Sequence, residues 1–582
     1  MDFLPLSPRS MSPPVTLSFD DLLHEAGGFG RFQVLTLLIL CISRIILPLH
    51  FLQHIFISAV PPHHCTVPDH RNSGNLSQED LLLLNIPQED DGSFSSCQMF
   101  SKPQLHLNTS QDMMANGSWL QSCDQGWEYE RSTFSSTTVT QWDLVCEKKG
   151  LGRILTSFFF IGVTLGTVTF GYLSDRFGRR AMLFLSLVLS LVFGGLSAGS
   201  VSYPMFVISL MLSGFSVSGL TITVVALSLE WVDTQHRTVA GVITSLCWSI
   251  GSALLALIAY LIRDWRWLVV SITAPSVLGI VSIWWLSESP RWLLTKGFIE
   301  RAEKELERCA AMNGRKLDWT SKQRENIQRL AESLGSSSTD YSYIDLFRTP
   351  KLRRISICAG LVWFGVAFSY YGISLDISGF GLNLFLTHFL YSLVEVPAKL
   401  SIYHLLNYLG RRRTQVLTLV MTGACIGANV VIPSALGPLR TTVAIIGKGF
   451  SEASFTAIIL YTAELYPTVI RQNGIGYTSF LGRIGTSLAP LMKLLDDFWA
   501  PLSKVIFCSM AVICGLMATL LPETLNVPLP EIINDVEQQV CAQNNETQTK
   551  RDPPNLDITS PQRTPNLTVL TTNAMTELDG HM

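Results

Sequence analysis

Twelve apolar runs, each about 20 residues long and therefore long enough to cross a bilayer, divide this chain and rule out an ordinary soluble fold. They lie near 32–57, 151–172, 181–200, 203–228, 239–262, 267–286, 353–375, 381–404, 413–433, 440–462, 474–493 and 502–521. Backbone inside lipid must satisfy its own hydrogen bonds, so the expected fold class is an all-α membrane protein of twelve transmembrane helices. Only 15% of the residues are charged against 48% hydrophobic, which fits many spans and not one large soluble core. The net charge of −3 is too small to draw a charged partner such as nucleic acid. The lipid bilayer is the one partner that composition demands.

An even number of spans returns both termini to one side. The basic connections DRFGRR, 287–352 and LGRRR all fall on that side, so both termini are expected to be cytoplasmic. Residues 1–31 hold Pro and acidic residues and no apolar core of a signal peptide, which leaves insertion to the first span. The polar segment 59–147 then lies outside. It carries three glycosylation acceptors, Asn75, Asn108 and Asn116, and four cysteines, Cys65, Cys97, Cys123 and Cys146. Two disulfides are expected there, with three pairings open. Asn545 and Asn566 also fit the sequon but fall inside and are expected to stay unmodified. The domain plan is a cytoplasmic N-terminus (1–31), a six-span half (32–286), a cytoplasmic connection (287–352), a second six-span half (353–523) and a disordered tail (524–582). Within the connection, Ile299 to Met312 has helical spacing and alternating charge, the pattern of a solvated bracing helix.

The two halves echo each other. Gly171 to Arg180 reads GYLSDRFGRR, and Tyr403 to Arg412 reads YHLLNYLGRR, with Asn407 where the first copy has Asp175. Glu230 and Arg237 match Glu464 and Arg471, and Glu288 matches Glu523, at nearly the same offset. Internal repeats of this kind mark duplicated transporter halves.

Each ionisable residue within a span costs roughly 2.5–3.5 kcal/mol on insertion scales and needs a reason. Glu395 and Lys399 are four apart, as are Lys448 and Glu452, so each pair shares a helical face and is expected to neutralise itself. Arg44 and Arg483 have no acid within a turn of their own helix, which leaves a central excess of about +2 that favours anions. Arg483 lies among Gly476, Gly482 and Gly485, where a bendable helix would present the planar fork of a guanidinium to a carboxylate or phosphate. The structural alternatives are a bridge between bundles for Arg483 and a packing pair with Glu452 for Arg44. Aromatic side chains crowd the seventh span at Trp363, Phe364, Phe368, Tyr370 and Tyr371, with Trp248 in the fifth and Phe455 in the tenth. They suit either packing or the apolar body of a ligand. Enzymatic motifs are missing: there is no nucleotide-phosphate loop and no HExxH spacing, and His63 and His64 fall in the external segment beside Cys65. No metal, cofactor or catalytic residue is expected.

The GYLSDRFGRR pattern resembles the signature of the major facilitator superfamily. Beyond it, STFSSTTVTQWDLVCEKKGL, DLFRTPKLR, the YYG of Tyr370 to Gly372, ELYPTVIRQNG and LPETL resemble the organic ion transporters of solute carrier family 22, over about 18–535. The resemblance implies two six-helix bundles around a central site that opens alternately to each side. Lys399 in PAKL and Arg483 in LGRIG are similar to the cationic residues of the family's organic anion branch; the cation branch has an acid at the position of Arg483. Carried over, Arg483, Lys399, Tyr370, Tyr371, Trp248 and Phe455 would line the site, with Arg44 as a further candidate. Asp175, Arg176, Arg179, Arg180, Glu230 and Arg237, with Glu464 and Arg471, would form a charge network closing the inner gate. The runs GGFGRFQ, SRIILPLHFL and YLIRDWRWL are similar to one subtype of that branch, which Arg44 and Glu452 fit while departing from its renal exchangers. The implied partners are small organic anions: carboxylates, nucleotides or their metabolites, and prostaglandin-like or drug anions. The implied setting is a monomer in the plasma membrane, on the basolateral face of liver or kidney epithelium. A cation or zwitterion transporter of the same family, or a non-transporting receptor on the same fold, is the alternative.

Overall fold

A computed structural model describes residues 19–525, apart from 68–77, 90–91, 102–119, 234–235, 318, 320, 337–341, 376–382 and 434, together with 527, 530, 533, 536 and 537. The three external sequons and the tail beyond 537, Asn545 and Asn566 included, lie outside the described residues.

Twelve membrane helices follow in chain order. The first half comprises α1 (Arg31–Leu52), α2 (Lys149–Phe177), α3 (Arg179–Ala198), α4 (Tyr203–Glu230), α5 (Arg237–Leu261) and α6 (Trp265–Thr273, continued by Pro275–Ser282). The second comprises α7 (Pro350–Leu375), α8 (Leu384–Leu409), α9 (Arg411–Val431), α10 (Gly437–Leu465), α11 (Arg471–Leu488) and α12 (Leu502–Ala518). Among the described residues, nine helical stretches are long and apolar enough to be recognised as spans on composition alone. The three that are not have plain reasons. His388, Glu395 and Lys399 lower the hydropathy of α8, Arg483 and four glycines that of α11, and α12 has 17 residues.

Proline interrupts several of the helices. Pro48 lies inside α1, which breaks at Gln53 before a short turn His54–Ile57; Pro275 divides α6, and Pro397 lies inside α8. Helices α2 and α4 touch backbone to backbone. A Cβ at Gly162 would stand 2.0 Å from the Met211 carbonyl oxygen, and one at Gly214 would stand 2.2 Å from that of Phe159, so only glycine fits there. Within each half the helices form one bundle. Between halves, α5 packs on α8 and α2 on α11.

One end of the bundles carries the segment before α1 and the connection after α6, and is called here the terminal end. The opposite, loop end carries the segment between α1 and α2. That segment departs from the all-α expectation: β1 (His63–Cys65) pairs antiparallel with β4 (Trp127–Tyr129), and β2 (Gln98–Phe100) with β3 (Leu120–Ser122). Strands of three residues are too short to show an alternating pattern, so nothing in the chain announces them. Disulfides Cys65–Cys123 and Cys97–Cys146 staple the segment and settle the pairing. At the terminal end the connection forms the expected helix Ile299–Met312 and a further helix, Ser321–Ser336. Asn313 ties this layer to α1, accepting from the Phe32 N–H at 3.0 Å and donating to the Ala26 carbonyl at 3.1 Å.

Candidate functional site

The two acids and two lysines inside the second bundle form one open ring of three ion pairs. Lys448 on α10 pairs with Glu395 on α8 at 3.0 Å, Lys399 on α8 pairs with Glu452 on α10 at 3.1 Å, and Glu395 meets Lys399 at 3.4 Å. Of the two expected helical pairs, Glu395 and Lys399 do meet, whereas among the described residues Lys448 and Glu452 make no ion pair with each other, and each acid has its shorter contact across the helix packing. The reason is geometric. Where α8 packs on α10, an acid on one helix reaches the lysine of the other more closely than its own-helix neighbour does.

Hydrogen bonds complete the ring, as buried charge requires. Tyr370 Oη donates to Glu395 at 3.0 Å and Ser249 Oγ donates to it at 2.9 Å. Lys399 Nζ donates to Ser249 Oγ at 2.7 Å and to the Ser245 carbonyl at 3.1 Å, while Lys448 Nζ donates to Ser374 Oγ at 2.7 Å and stands 3.4 Å from the Tyr370 ring centre. Lys399, expected to line the ligand site, is here paired with both Glu395 and Glu452. Tyr370 is likewise committed to the ring. Ser245 and Ser249 belong to α5 of the other half, so the network also joins the bundles.

With that ring neutral, the charge excess rests on Arg44 and Arg483. Arg44 on α1 donates through Nε to the Thr244 carbonyl at 3.3 Å and lies 5.7 Å from the Trp248 ring centre. It does not pair with Glu452, which is taken by Lys399. Arg483 on α11 lies 6.0 Å from the Phe51 ring centre, and among the described residues its guanidinium has no acid within ion-pair distance. Phe51 and Trp248 themselves meet at 5.6 Å, edge to face, and Phe160 meets Tyr371 at 4.8 Å. Two acid-free guanidiniums, one from each half, therefore border a common aromatic platform. Both are half-buried, whereas Lys399, Lys448, Glu395 and Glu452 are buried. Phe455 falls on the ring's side of this site, 5.3 Å from Tyr370 and 5.9 Å from Trp363. Phe51 and Phe160 were not foreseen: each is one aromatic among 30 Phe in the chain, and only the packing of α1 and α2 singles it out.

A groove of about 580 Å³ lies elsewhere, between α5 and α8 toward the loop end, lined almost wholly by apolar side chains. An anion is recognised by charge and hydrogen bonds, so the guanidinium pair and not this groove is the candidate site.

The terminal end carries the motif residues expected to form a charge network. Arg179 pairs with Asp175 at 2.8 Å and with Glu230 at 3.1 Å, while Glu288 accepts the backbone N–H groups of Arg179 and Arg180 at 3.0 and 3.2 Å, capping α3. Burial pushes the Glu288 carboxyl above the usual range, and the backbone N–H donors pull it back down. The second half repeats the device: Arg411 pairs with Glu464 at 2.9 Å and Glu523 accepts from the N–H groups of Arg411 and Arg412. Gly178 and Gly410 take φ of 101° and 87° at the two turns, a conformation suited to glycine. Arg237 instead reaches Asp20 at 3.4 Å, Arg176 reaches Tyr172 Oη at 3.3 Å, and Arg471 Nε donates to the Tyr466 carbonyl at 3.2 Å. So the motif forms two networks, one per half, and among the described residues no ion pair joins the halves at this end. Further ties between halves lie at the other end: Asp497 holds Arg153 at 2.9 Å and Lys149 at 3.5 Å, Ser252 meets Ser392 at 2.6 Å, and Phe56 stacks on Phe385. These contacts hold the two halves together at the loop end.

Known proteins bear on this arrangement. The sugar (and other) transporter family matches residues 114–535. The chain is 48% identical over 531 residues to solute carrier family 22 member 7 of Rattus norvegicus, covering 90% of this chain and 99% of that protein. It is 48% identical over 533 residues to the Homo sapiens member 7, covering 90% and 97%, and 38% identical over 549 residues to member 6 of Danio rerio, covering 93% and 98%. Among solved structures, the inward-open xylose transporter XylE from E. coli aligns with a TM-score of 0.56 at 16% identity, covering 86% of this chain and 98% of that one. That likeness establishes the twelve-helix major facilitator fold of two six-helix bundles. An alternating-access membrane transporter, not an enzyme, is what sequence kinship and fold together describe, and the chain belongs to solute carrier family 22.

Proposed function

We propose that this transporter carries small organic anions, with Arg483 as the principal anion-binding charge and Arg44 beside it across the Phe51–Trp248 platform. The observation that carries the reading is that, among the described residues, the bundle interior holds two guanidiniums without an acid partner while Glu395, Lys399, Lys448 and Glu452 cancel one another. A free interior acid, which a cation carrier needs, is missing among the described residues because Glu395 and Glu452 are both paired. Carboxylates, nucleotides and drug-like anions with a flat apolar body suit guanidiniums flanked by rings. The runs shared with organic anion transporter 2, and the kinship to member 7, favour that subtype. The terminal end then faces the cytoplasm of a plasma-membrane protein that works as a monomer, and the conformation described is inward-facing. Uptake of labelled carboxylates and of labelled organic cations into expressing cells, with and without dicarboxylate loaded inside, tests the reading. Saturable anion uptake is expected. Cation uptake alone would overturn it.

The orientation makes two further predictions. With segment 59–147 outside, glycans occupy at least one of Asn75, Asn108 and Asn116, and glycosidase treatment is expected to increase gel mobility; unchanged mobility counts against the orientation. Removing either disulfide, by Cys65→Ser or Cys97→Ser, is expected to reduce delivery to the surface rather than substrate affinity.

In the motif, Asp175 is exposed and touches Arg179, at a gate that must reorganise in every cycle. Asp175→Asn is expected to lower turnover about two- to fivefold with affinity nearly unchanged, as for loss of one exposed ion pair in a moving element. Concentration dependence of initial uptake checks this, and a normal maximal rate with altered affinity would exclude the gate role.

A further inference from the structure

The geometry points to the groove between α5 and α8 as a binding site for a membrane sterol, whose occupancy favours the conformation closed at the loop end. The groove runs from Ile250 to Tyr260 on α5, ten residues or about 15 Å of helix, which is about half of a ~30 Å hydrocarbon core. It thus occupies a single leaflet, on the loop-end side. Ala253 and Ala256 form a flat floor, while Leu257 and Phe389, 53% and 43% exposed, stand as walls open to lipid. A planar, rigid apolar body fits such a floor, and it loses little conformational freedom on binding, unlike an acyl chain.

The mouth selects for a hydroxyl over a phosphate. It presents the Tyr260 phenol and the Asn383 amide. The Asn383 Oδ1 accepts from the Phe385 N–H at 2.9 Å, which leaves its NH2 as donor. The nearby cation, Arg263, is turned to the external segment and to backbone: its Nη1 donates to the Ser132 carbonyl at 2.9 Å and its Nε to the carbonyl of Tyr260 on α5 at 3.4 Å, with the guanidinium 5.5 Å from the Tyr260 ring centre. A single neutral hydroxyl matches what remains.

The walls come from both halves. Behind them runs the polar seam in which Ser252 meets Ser392 at 2.6 Å and His388 at 3.4 Å. Opening the loop end parts α5 from α8 and splits the groove, so a ligand that fits it binds one state better than the other and shifts their populations.

The test uses the full-length protein in phosphatidylcholine liposomes with and without cholesterol, together with a photoactivatable cholesterol and a phosphatidylcholine bearing a photoactivatable acyl chain. Cholesterol labelling is expected to concentrate in 250–260 and 383–389, and to fall about fivefold or more in Ala253→Phe, which fills the groove. Cholesterol should change uptake by the parent protein by about two- to fivefold and leave Ala253→Phe unchanged. Tyr260→Phe, at the exposed mouth, tests the hydroxyl contact without altering the floor, and is expected to weaken labelling even where Ala253→Phe fails to fold. Labelling spread evenly over all lipid-facing helices, equal labelling of the groove by the phosphatidylcholine probe, or labelling indifferent to both substitutions would overturn the proposal.

Discussion

An Arg483→Asp transporter is expected to reach the cell surface and carry no organic anion. Arg483 makes no ion pair among the described residues, so reversing its sign breaks no internal salt bridge. What it removes is a charge-assisted contact to the substrate worth roughly 1.5–3 kcal/mol, or about 10- to 150-fold in affinity, with like-charge repulsion added. Arg483→Lys keeps the charge and loses the planar fork, so partial loss is expected there. Arg44 offers a contrast on the same platform. Its Nε is spent on the Thr244 carbonyl, which leaves fewer donors for a ligand, and Arg44→Gln should weaken uptake less than Arg483→Gln. Surface biotinylation and initial-rate uptake on the same cells decide the matter. Arg483→Asp at the surface with unchanged anion affinity would refute the role proposed for this side chain; retention inside the cell would instead favour a structural role.

How much of this was legible from the chain depends on what sort of constraint acts at each position. Lipid imposes one on every span, so the twelve runs, even the low-hydropathy α8, could be placed by length. The helix Ile299–Met312 lay open to its charge pattern, and the repeat of Glu230 and Glu288 in Glu464 and Glu523 foretold two matching devices, which the caps on α3 and α9 bear out. The charge excess on Arg44 and Arg483 also followed from counting. Partner choice did not, because spacing by four along one helix makes a pair possible without making it the best available. Glu395 finds Lys448 on another helix at 3.0 Å, nearer than Lys399 on its own at 3.4 Å. Nor does a motif report conformation: Asp175, Arg179 and Glu230 have the same chemistry whether they lock two bundles together or brace one. Four cysteines likewise leave three pairings open until the strands at 63–65 and 127–129 bring the chain round.

The ring leads to the other large effect, one on folding. Glu395 is the acid that touches both lysines, and among the described residues it is the one acid paired with Lys448, which is 2% exposed and otherwise meets the Ser374 hydroxyl and the Tyr370 ring. Glu395→Gln therefore strands a buried ammonium, and removing one partner of such a pair costs about 3–5 kcal/mol, a large share of the 5–15 kcal/mol that holds typical domains together. Glu395→Gln is expected to be retained inside the cell and to melt early in detergent. Glu452→Gln should be milder, because Lys399 keeps Glu395 at 3.4 Å and the Ser245 and Ser249 contacts from α5. The double variant Glu395→Gln with Lys448→Met separates charge from shape: it removes the stranded ammonium with a side chain of similar length, and replacing both members of a buried pair by neutral groups is often neutral or stabilising. Surface level and thermal melting should recover in the double variant relative to Glu395→Gln alone. If Glu395→Gln melts and traffics like the parent, the ring does not stabilise the fold, and its four charges are then kept for transport alone.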